Sequence, residues 1–316
     1  MCLPRWDEGA RNNRDENLRR IHEWVRAEPL RRLVADFGGV LPDDPDDAFP
    51  FLDEFSAARW DFRQGRERNL AAGVLYEPAR EASIISWARQ LGLSQHPARR
   101  ERYHTVLMTG GMVRAGISKP LYVRLMMDEG LRADRVVFLG GFRPFGGDEH
   151  HVARALGVPG DDEFDAMVEG MRRAFELGEP DRMREHAAST RNGSWARWDW
   201  HRDGTEFSVV AAPSADPIRR RANTVDTYRF WAERVRPAEE NTALVVTAPI
   251  YVPYQGAGAV QVLGLEYGIG VETVGISRHT GDLGEYAQVA TAHHHLQEMR
   301  SAIRGMMSLR EALQKM

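Results

Sequence analysis

The residues able to do chemistry in this 316-residue chain gather in four stretches, each following a short apolar run. In residues 109–119, Gly110 and Gly111 precede a helical pattern, and Lys119 follows Ser118. Backbone amides at a helix N-terminus attract anions, and a neighbouring lysine would add charge. The stretch is not a Walker loop, which needs Gly-Lys-Ser/Thr in succession, and it lacks the three spaced glycines of a dinucleotide fingerprint. A helix cap with a tight turn accounts for Lys119 as well. In residues 140–151, the pairs Gly140-Gly141 and Gly146-Gly147 bracket Arg143 and let backbone approach a ligand closely. Asp148, Glu149, His150 and His151 follow, and Glu149 is a candidate general base. Neighbours on a helix diverge by about 100°, so these four cannot all converge on one ion. Chemistry without a metal is the expectation.

In the third stretch Arg219, Arg220 and Arg221 precede Asn223-Thr224, with Asp226 three residues after Asn223. Asn223 and Asp226 form a capping-box pattern. Three cations at a helix entrance oppose the macrodipole, so either acidic neighbours or an anionic ligand must compensate them. The fourth stretch carries Thr247, Tyr251, Tyr254 and Gln255. The tyrosines could grip a planar ring, or Tyr251 could pack on a sheet edge. His293-His294-His295 are consecutive, point in different directions and read as structural.

These loops need a scaffold, and the apolar pattern supplies one. Strands are expected at 104–109, 135–139, 207–211, 243–247 and 271–276. Helices are expected from Ser118, at 161–178, 223–236, 256–267 and 285–314. Short apolar strands alternating with helices predict a parallel sheet covered on both faces, a three-layer α/β/α Rossmann-like domain. Ligands bind such sheets outside the carboxyl ends of the strands, where the four stretches fall. Residues 1–100 read as a helical region packed on that domain. Leu18, Ile21, Val25, Leu33 and Phe37 recur at helical spacing, Pro29 interrupts them, residues 42–47 form an acidic loop, and a helix starts at Pro78. The domain itself spans 101–316. Residues 142–205 exceed one crossover and contain Trp195, Trp198 and Trp200, so part of them is expected to form a lid.

Composition narrows the partners. A net charge of −4 and pI near 6.3 argue against an overall basic nucleic-acid footprint. No run approaches the roughly 18 apolar residues of a membrane span. The first residues lack a signal-peptide pattern, and Cys2, the one cysteine, excludes an intramolecular disulfide. A cytoplasmic protein is expected. All but two of the 42 basic residues are arginine, which singles out Lys119 and Lys315.

The order of Gly110-Gly111, Gly140-Gly141 and Asn223-Thr224 resembles that of the YdcF/SanA/ElyC-like family over residues 101–280. The resemblance implies a Rossmann-like fold and assigns that family's Glu-Ala helix start to Glu163 or, less well, to Glu149. Tyr251 and Tyr254 stand where the family has His and Arg. Nucleotide-like and S-adenosylmethionine-like ligands are associated with that family. The combined expectation is an enzyme acting on a small anionic, nucleotide- or sugar-phosphate-like substrate by hydrolysis or group transfer. Gly110, Gly111, Gly140 and Gly141 would give backbone contacts. Lys119, Arg143 and Arg219 to Arg221 would neutralise charge, and Asn223 and Thr224 would present a helix N-terminus. Glu149 or Glu163 would be the base, Tyr251 a ring contact or acid, and Thr247 and Tyr254 would line the site. Two alternatives stand beside it: a non-catalytic module for a nucleotide-like or S-adenosylmethionine-like molecule, and a metal-dependent hydrolase using Asp148, His150 or His151 with a distant histidine.

Overall fold

The computed structural model describes residues 1–62, 74–277, 283–287 and 289–316. Four helices open the chain: α1 (Asn13–Val25), α2 (Glu28–Asp36), α3 (Pro45–Trp60) and α4 (Pro78–Gln90). The acidic stretch expected as a loop is instead the start of α3. The Asp44 side chain accepts from the Asp46 amide at 2.9 Å, and Pro45 occupies the first turn, where a missing N–H has no consequence.

The α/β domain follows. Its elements are β1 (Arg102–Thr109), α5 (Met112–Asp128), β2 (Arg132–Gly140), α6 (Glu149–Ala155), α7 (Glu163–Phe175), β3 (Arg182–His186), β4 (Trp195–Arg202), β5 (Thr205–Ala211), α8 (Thr224–Arg234), β6 (Thr242–Thr247), α9 (Val252–Ala259), β7 (Gly270–Gly275) and α10 (Ala292–Gln314). The seven strands form one sheet in the order β3-β4-β5-β2-β1-β6-β7. From β5 to β7 every pairing is parallel, whereas β4 is antiparallel to both β3 and β5. The five strands expected from the apolar runs are the parallel ones, and the fold is the Rossmann-like α/β class that they predict.

Strand alternation divides the core. Leu107, Val137, Val210 and Val245 face α8, α9 and α10, and the same cluster continues into α1–α4 through Trp24, Leu52 and Ile84. The N-terminal helices therefore pack on the domain through α10. Val106, Met108, Phe138 and Val209 face the other way, against α5 and α7. Each such side chain fully removed from water contributes about 1.5–3 kcal/mol. The β7 edge is covered by a two-way backbone pairing of Trp6 with Val271 at 2.9 and 2.7 Å. No helix among the described residues is long and apolar enough to cross a membrane.

Three local expectations need correction. Helix α5 begins at Met112, not at Ser118, so Pro120 lies inside it. Proline cannot donate to the carbonyl four residues back, which leaves the Gly116 oxygen without its helical partner. Gly170 of α7 packs directly on that oxygen: a Cβ at Gly170 would sit 1.8 Å from it. Only glycine permits this approach, and Cα–H···O contact replaces part of the lost bond. The segment expected to contribute a lid, 142–205, supplies α6, α7 and the β3–β4 hairpin, which lengthens the sheet. Trp198 and Trp200 are strand residues there, with Trp198 edge-on to Phe164 of α7. The expected helix at 285–314 starts at Ala292, and residue 288 lies outside the described residues.

Candidate functional site

Strand β1 continues through α5 to β2 on one side, and the chain reaches β6 on the other side only after β5. The crevice between β1 and β6 is thus the topological switch point, where a ligand is expected. Side chains of the protein fill it. The Thr109 hydroxyl donates to Gln255 Oε1 at 2.9 Å and lies 3.2 Å from the buried Thr247 hydroxyl. Lys119, only 1% exposed, donates Nζ to the Thr109 carbonyl, to the Gly110 carbonyl at 2.9 Å and to the Thr109 hydroxyl at 3.1 Å. It ties the end of β1 to α5. Tyr251 closes a short 3-10 turn before α9, while Tyr254 packs toward α10, where a Cβ at Gly305 would be 3.2 Å from its ring.

The N-terminus of α5 is also occupied from within. The Met112 amide donates to Glu163 Oε1 at 3.2 Å, and the Val113 amide donates to Glu149 Oε2 at 3.1 Å. These satisfy two of the amides that every helix start leaves unpaired, with carboxylates favoured by the macrodipole. Met112 adopts a left-handed φ of 66°, a strained conformation for a non-glycine residue. Glu163 Oε2 accepts from the Gly141 amide at 3.2 Å, so one carboxylate joins the glycine turns of β1 and β2. A Cβ at Gly110 would lie 2.8 Å from the Glu163 carboxyl carbon, and one at Gly140 would lie 3.0 Å from Oε2. Gly110 is therefore small because Glu163 rests on it, and Gly140 because Met167 and Glu163 both do.

Glu149 and Asp148 share Arg114, at 3.0 and 2.6 Å. Burial pushes the Glu149 carboxyl above its usual range, more than the Val113 amide and Arg114 lower it. His150 lies 3.9 Å from Asp161, and His151 lies against the Tyr286 ring. These acids and histidines diverge, and among the described residues no group of three or more His, Cys, Asp or Glu is placed to hold a metal.

At α8 the cap is local. Asn223 Oδ1 accepts from the Asp226 amide and Asp226 Oδ2 from the Asn223 amide, both at 3.0 Å. Arg220 grips Asp226 with both terminal nitrogens. Burial raises the Asp226 carboxyl, but Arg220 and the Asn223 amide outweigh it and hold the group below its usual range. Arg219 is exposed, 3.9 Å from Asp216, and the Thr224 carbonyl accepts from the Thr227 hydroxyl. Arg219, Arg220, Asn223 and Thr224 thus serve the helix start and its surface.

A small, shallow cleft opens between these two helix starts, at the carboxyl ends of β2 and β5. Its charged walls are Arg143, Arg191, Arg221 and Glu163, and Gly141, Ala212 and Ala222 keep it open by their small size. Arg191 is bonded to the buried Asp162, which caps α7, and its guanidinium lies 3.9 Å above the Phe142 ring. The structure thus brings together Gly141, Arg143, Glu163 and Arg221 of the residues nominated from sequence. The remainder belong to caps, to the β1–β6 crest or to the surface. Arg191, Asn192 and Phe142 are additional walls. The signal for Arg191 is the Thr190–Gly193 turn between two strands. Alternation of Ala196, Trp198 and Trp200 with Arg197, Asp199 and His201 marks β4, and that strand carries the turn to the sheet edge.

Comparison with known proteins adds relatives for both parts of the chain. The Rv3785 N-terminal domain family matches residues 8–92, the span that holds α1–α4. Over 93% of its length the chain is 29% identical to uncharacterized protein Rv3785 of Mycobacterium tuberculosis, covering 89% of that protein. The same identity and coverage hold for uncharacterized protein Mb3814 of Mycobacterium bovis. No solved structure matches.

Proposed function

We propose that this protein binds a small anionic, nucleotide- or sugar-phosphate-like molecule in the cleft between the carboxyl ends of β2 and β5. The observation that carries the reading is the convergence of Arg143, Arg191 and Arg221 on one small cleft beside a glycine turn. Guanidinium groups match phosphate and carboxylate oxygens in shape and charge, and their hydrogen bonds to an anion are stronger than neutral ones. The cleft is shallow, so the anionic group would sit at its mouth, with the rest of the ligand lying over the sheet edge. The resemblance in loop order to the YdcF/SanA/ElyC-like family supports the same edge.

Hydrolysis or group transfer on that ligand is the second reading, favoured by the Glu163 carboxylate in the cleft wall, where it would act as general base. Thermal shift and calorimetry with inorganic phosphate, ribose phosphate and nucleoside monophosphates test the first reading. Arg221→Ala or Arg143→Ala should weaken binding by about tenfold or more. Absence of binding by every phosphate compound overturns it. For the second reading, Glu163→Gln should abolish turnover of a bound phosphate ester while retaining binding; undiminished turnover removes Glu163 from the chemistry.

A further inference from the structure

We infer that the turn between β3 and β4 is a hinged clasp across the cleft, and that the small residues lining the cleft are reached only when the turn swings away. The inference stands on contacts within the chain and holds with or without the anion reading. Residues 187–194 are tied to one another. The Gly193 amide donates to the Thr190 carbonyl at 3.1 Å. The Ser194 hydroxyl donates to the same carbonyl at 3.1 Å and accepts from the Ala188 amide at 3.0 Å. A turn bonded in this way moves as one body about its ends, His186 and Trp195, whose rings stack across the last pair of the hairpin.

From that body, contacts reach the two loops that flank the cleft. Towards α7, Arg191 pairs with Asp162 and lies 3.9 Å above the Phe142 ring. Towards α8, the Asn192 carbonyl accepts from the Ser214 amide at 2.7 Å, and the Asn192 side chain donates to the Pro217 carbonyl at 3.2 Å. Arg191 and Asn192 thus bridge the cleft, sharing its lining with Gly141, Ala212 and Ala222. None of residues 187–194 is buried, and in β3 only Arg184 is even partly covered. An exposed ion pair and an exposed cation–π contact are each weak. Segments with little buried apolar surface open locally while the core stays folded. Release of Arg191 leaves α7 capped, because the other Asp162 oxygen accepts from the Phe164 and Asp165 amides. The clasp can therefore open without disturbing the helix behind it.

Amide exchange on the wild-type chain follows the motion directly. The Ser214 amide, bonded to Asn192 across the gap, should exchange about a hundredfold faster than that of Val209, which is fully buried and paired on both sides within β5. Arg191→Ala should quicken Ser214 about fivefold or more and leave Val209 unchanged. Access is measured by placing a thiol in the cleft. With Cys2→Ser removing the native thiol, Ala212→Cys should react slowly with a water-soluble thiol reagent, and adding Arg191→Ala should speed the reaction about fivefold or more. Ser214 exchanging as slowly as Val209, or unchanged by Arg191→Ala, overturns the clasp. So does labelling of Ala212→Cys at one rate with and without Arg191→Ala. If the cysteine variant folds poorly, the exchange comparison decides.

Discussion

Helices α5 and α8 both start at the carboxyl edge of the sheet, yet their first amides are satisfied from different distances along the chain. At α8 the cap comes from Asn223 and Asp226, within one turn. At α5 the carboxylates come from Glu149 and Glu163, which lie 36 and 51 residues beyond the amides they accept. A local cap makes one helix start independent of the rest of the fold. A remote cap makes the other depend on where α6 and α7 are packed. The arginine cleft lies between the two and shares Glu163 with the remote cap, so binding of the proposed anion should couple to α5 more than to α8.

The strongest way to break this asymmetry is to move α7. Gly170→Ala places a methyl group against the Gly116 carbonyl and should cost about 3 kcal/mol, read from the urea midpoint. Amide exchange should quicken at Met112 and remain slow at Asp226. A change below about 0.5 kcal/mol would mean that the α5–α7 approach is not close. Next in size, Glu163→Ala leaves two amides without an acceptor and should cost about 2 kcal/mol in the same assay. Asn223→Ala should cost about 1 kcal/mol by thermal melting, with Asn223→Ser close to wild type. Equal costs for the alanine and serine variants would show that the side-chain cap contributes nothing.

The smallest effect sharpens the comparison through its sign. Glu149 has its folded pKa raised above the ordinary 4.5, so its stabilising contribution is present at low pH and fades as pH rises through the folded value. Asp226 has its folded pKa held below the ordinary 3.8, so its contribution is present above that value and is lost as pH falls through the folded one. Stability measured from about pH 3 to 7 should show Glu149→Gln gaining on the wild type as pH rises and Asp226→Asn losing ground. Parallel slopes for the two variants would contradict the opposite electrostatics of the two helix starts.

Much of this architecture can be read from the chain itself. Four of the five parallel strands carry short apolar runs, β7 instead holding Glu272 and Thr273 between two valines, and Asn223 with Asp226 announces α8 within four residues. The β3–β4 hairpin escapes such reading because its alternation mixes Trp, Arg and Asp on a half-covered sheet edge, so no apolar run marks it. Ser118 and Pro120 suggest a helix start by local rules, and the true start at Met112 prevails because Gly170 accommodates the carbonyl that Pro120 leaves. The site is legible in part for the same reason. Arg143 and Arg221 stand out beside glycines and a helix entrance, whereas Arg191 reaches the cleft only through the hairpin.

By itself, the sequence determined the fold class, the strand ends where polar loops collect, and the cap of α8, because each depends on neighbours along the chain. Tertiary structure decided which groups face one another there. Lys119, Thr109 and Gln255 close the switch-point crevice, Glu163 becomes the bridge between two glycine turns, and three arginines from separate loops meet at β2 and β5. Hydrophobic burial sets the positions of the elements to within a side chain, and long-range carboxylate–amide and arginine contacts then set which polar loops face one another.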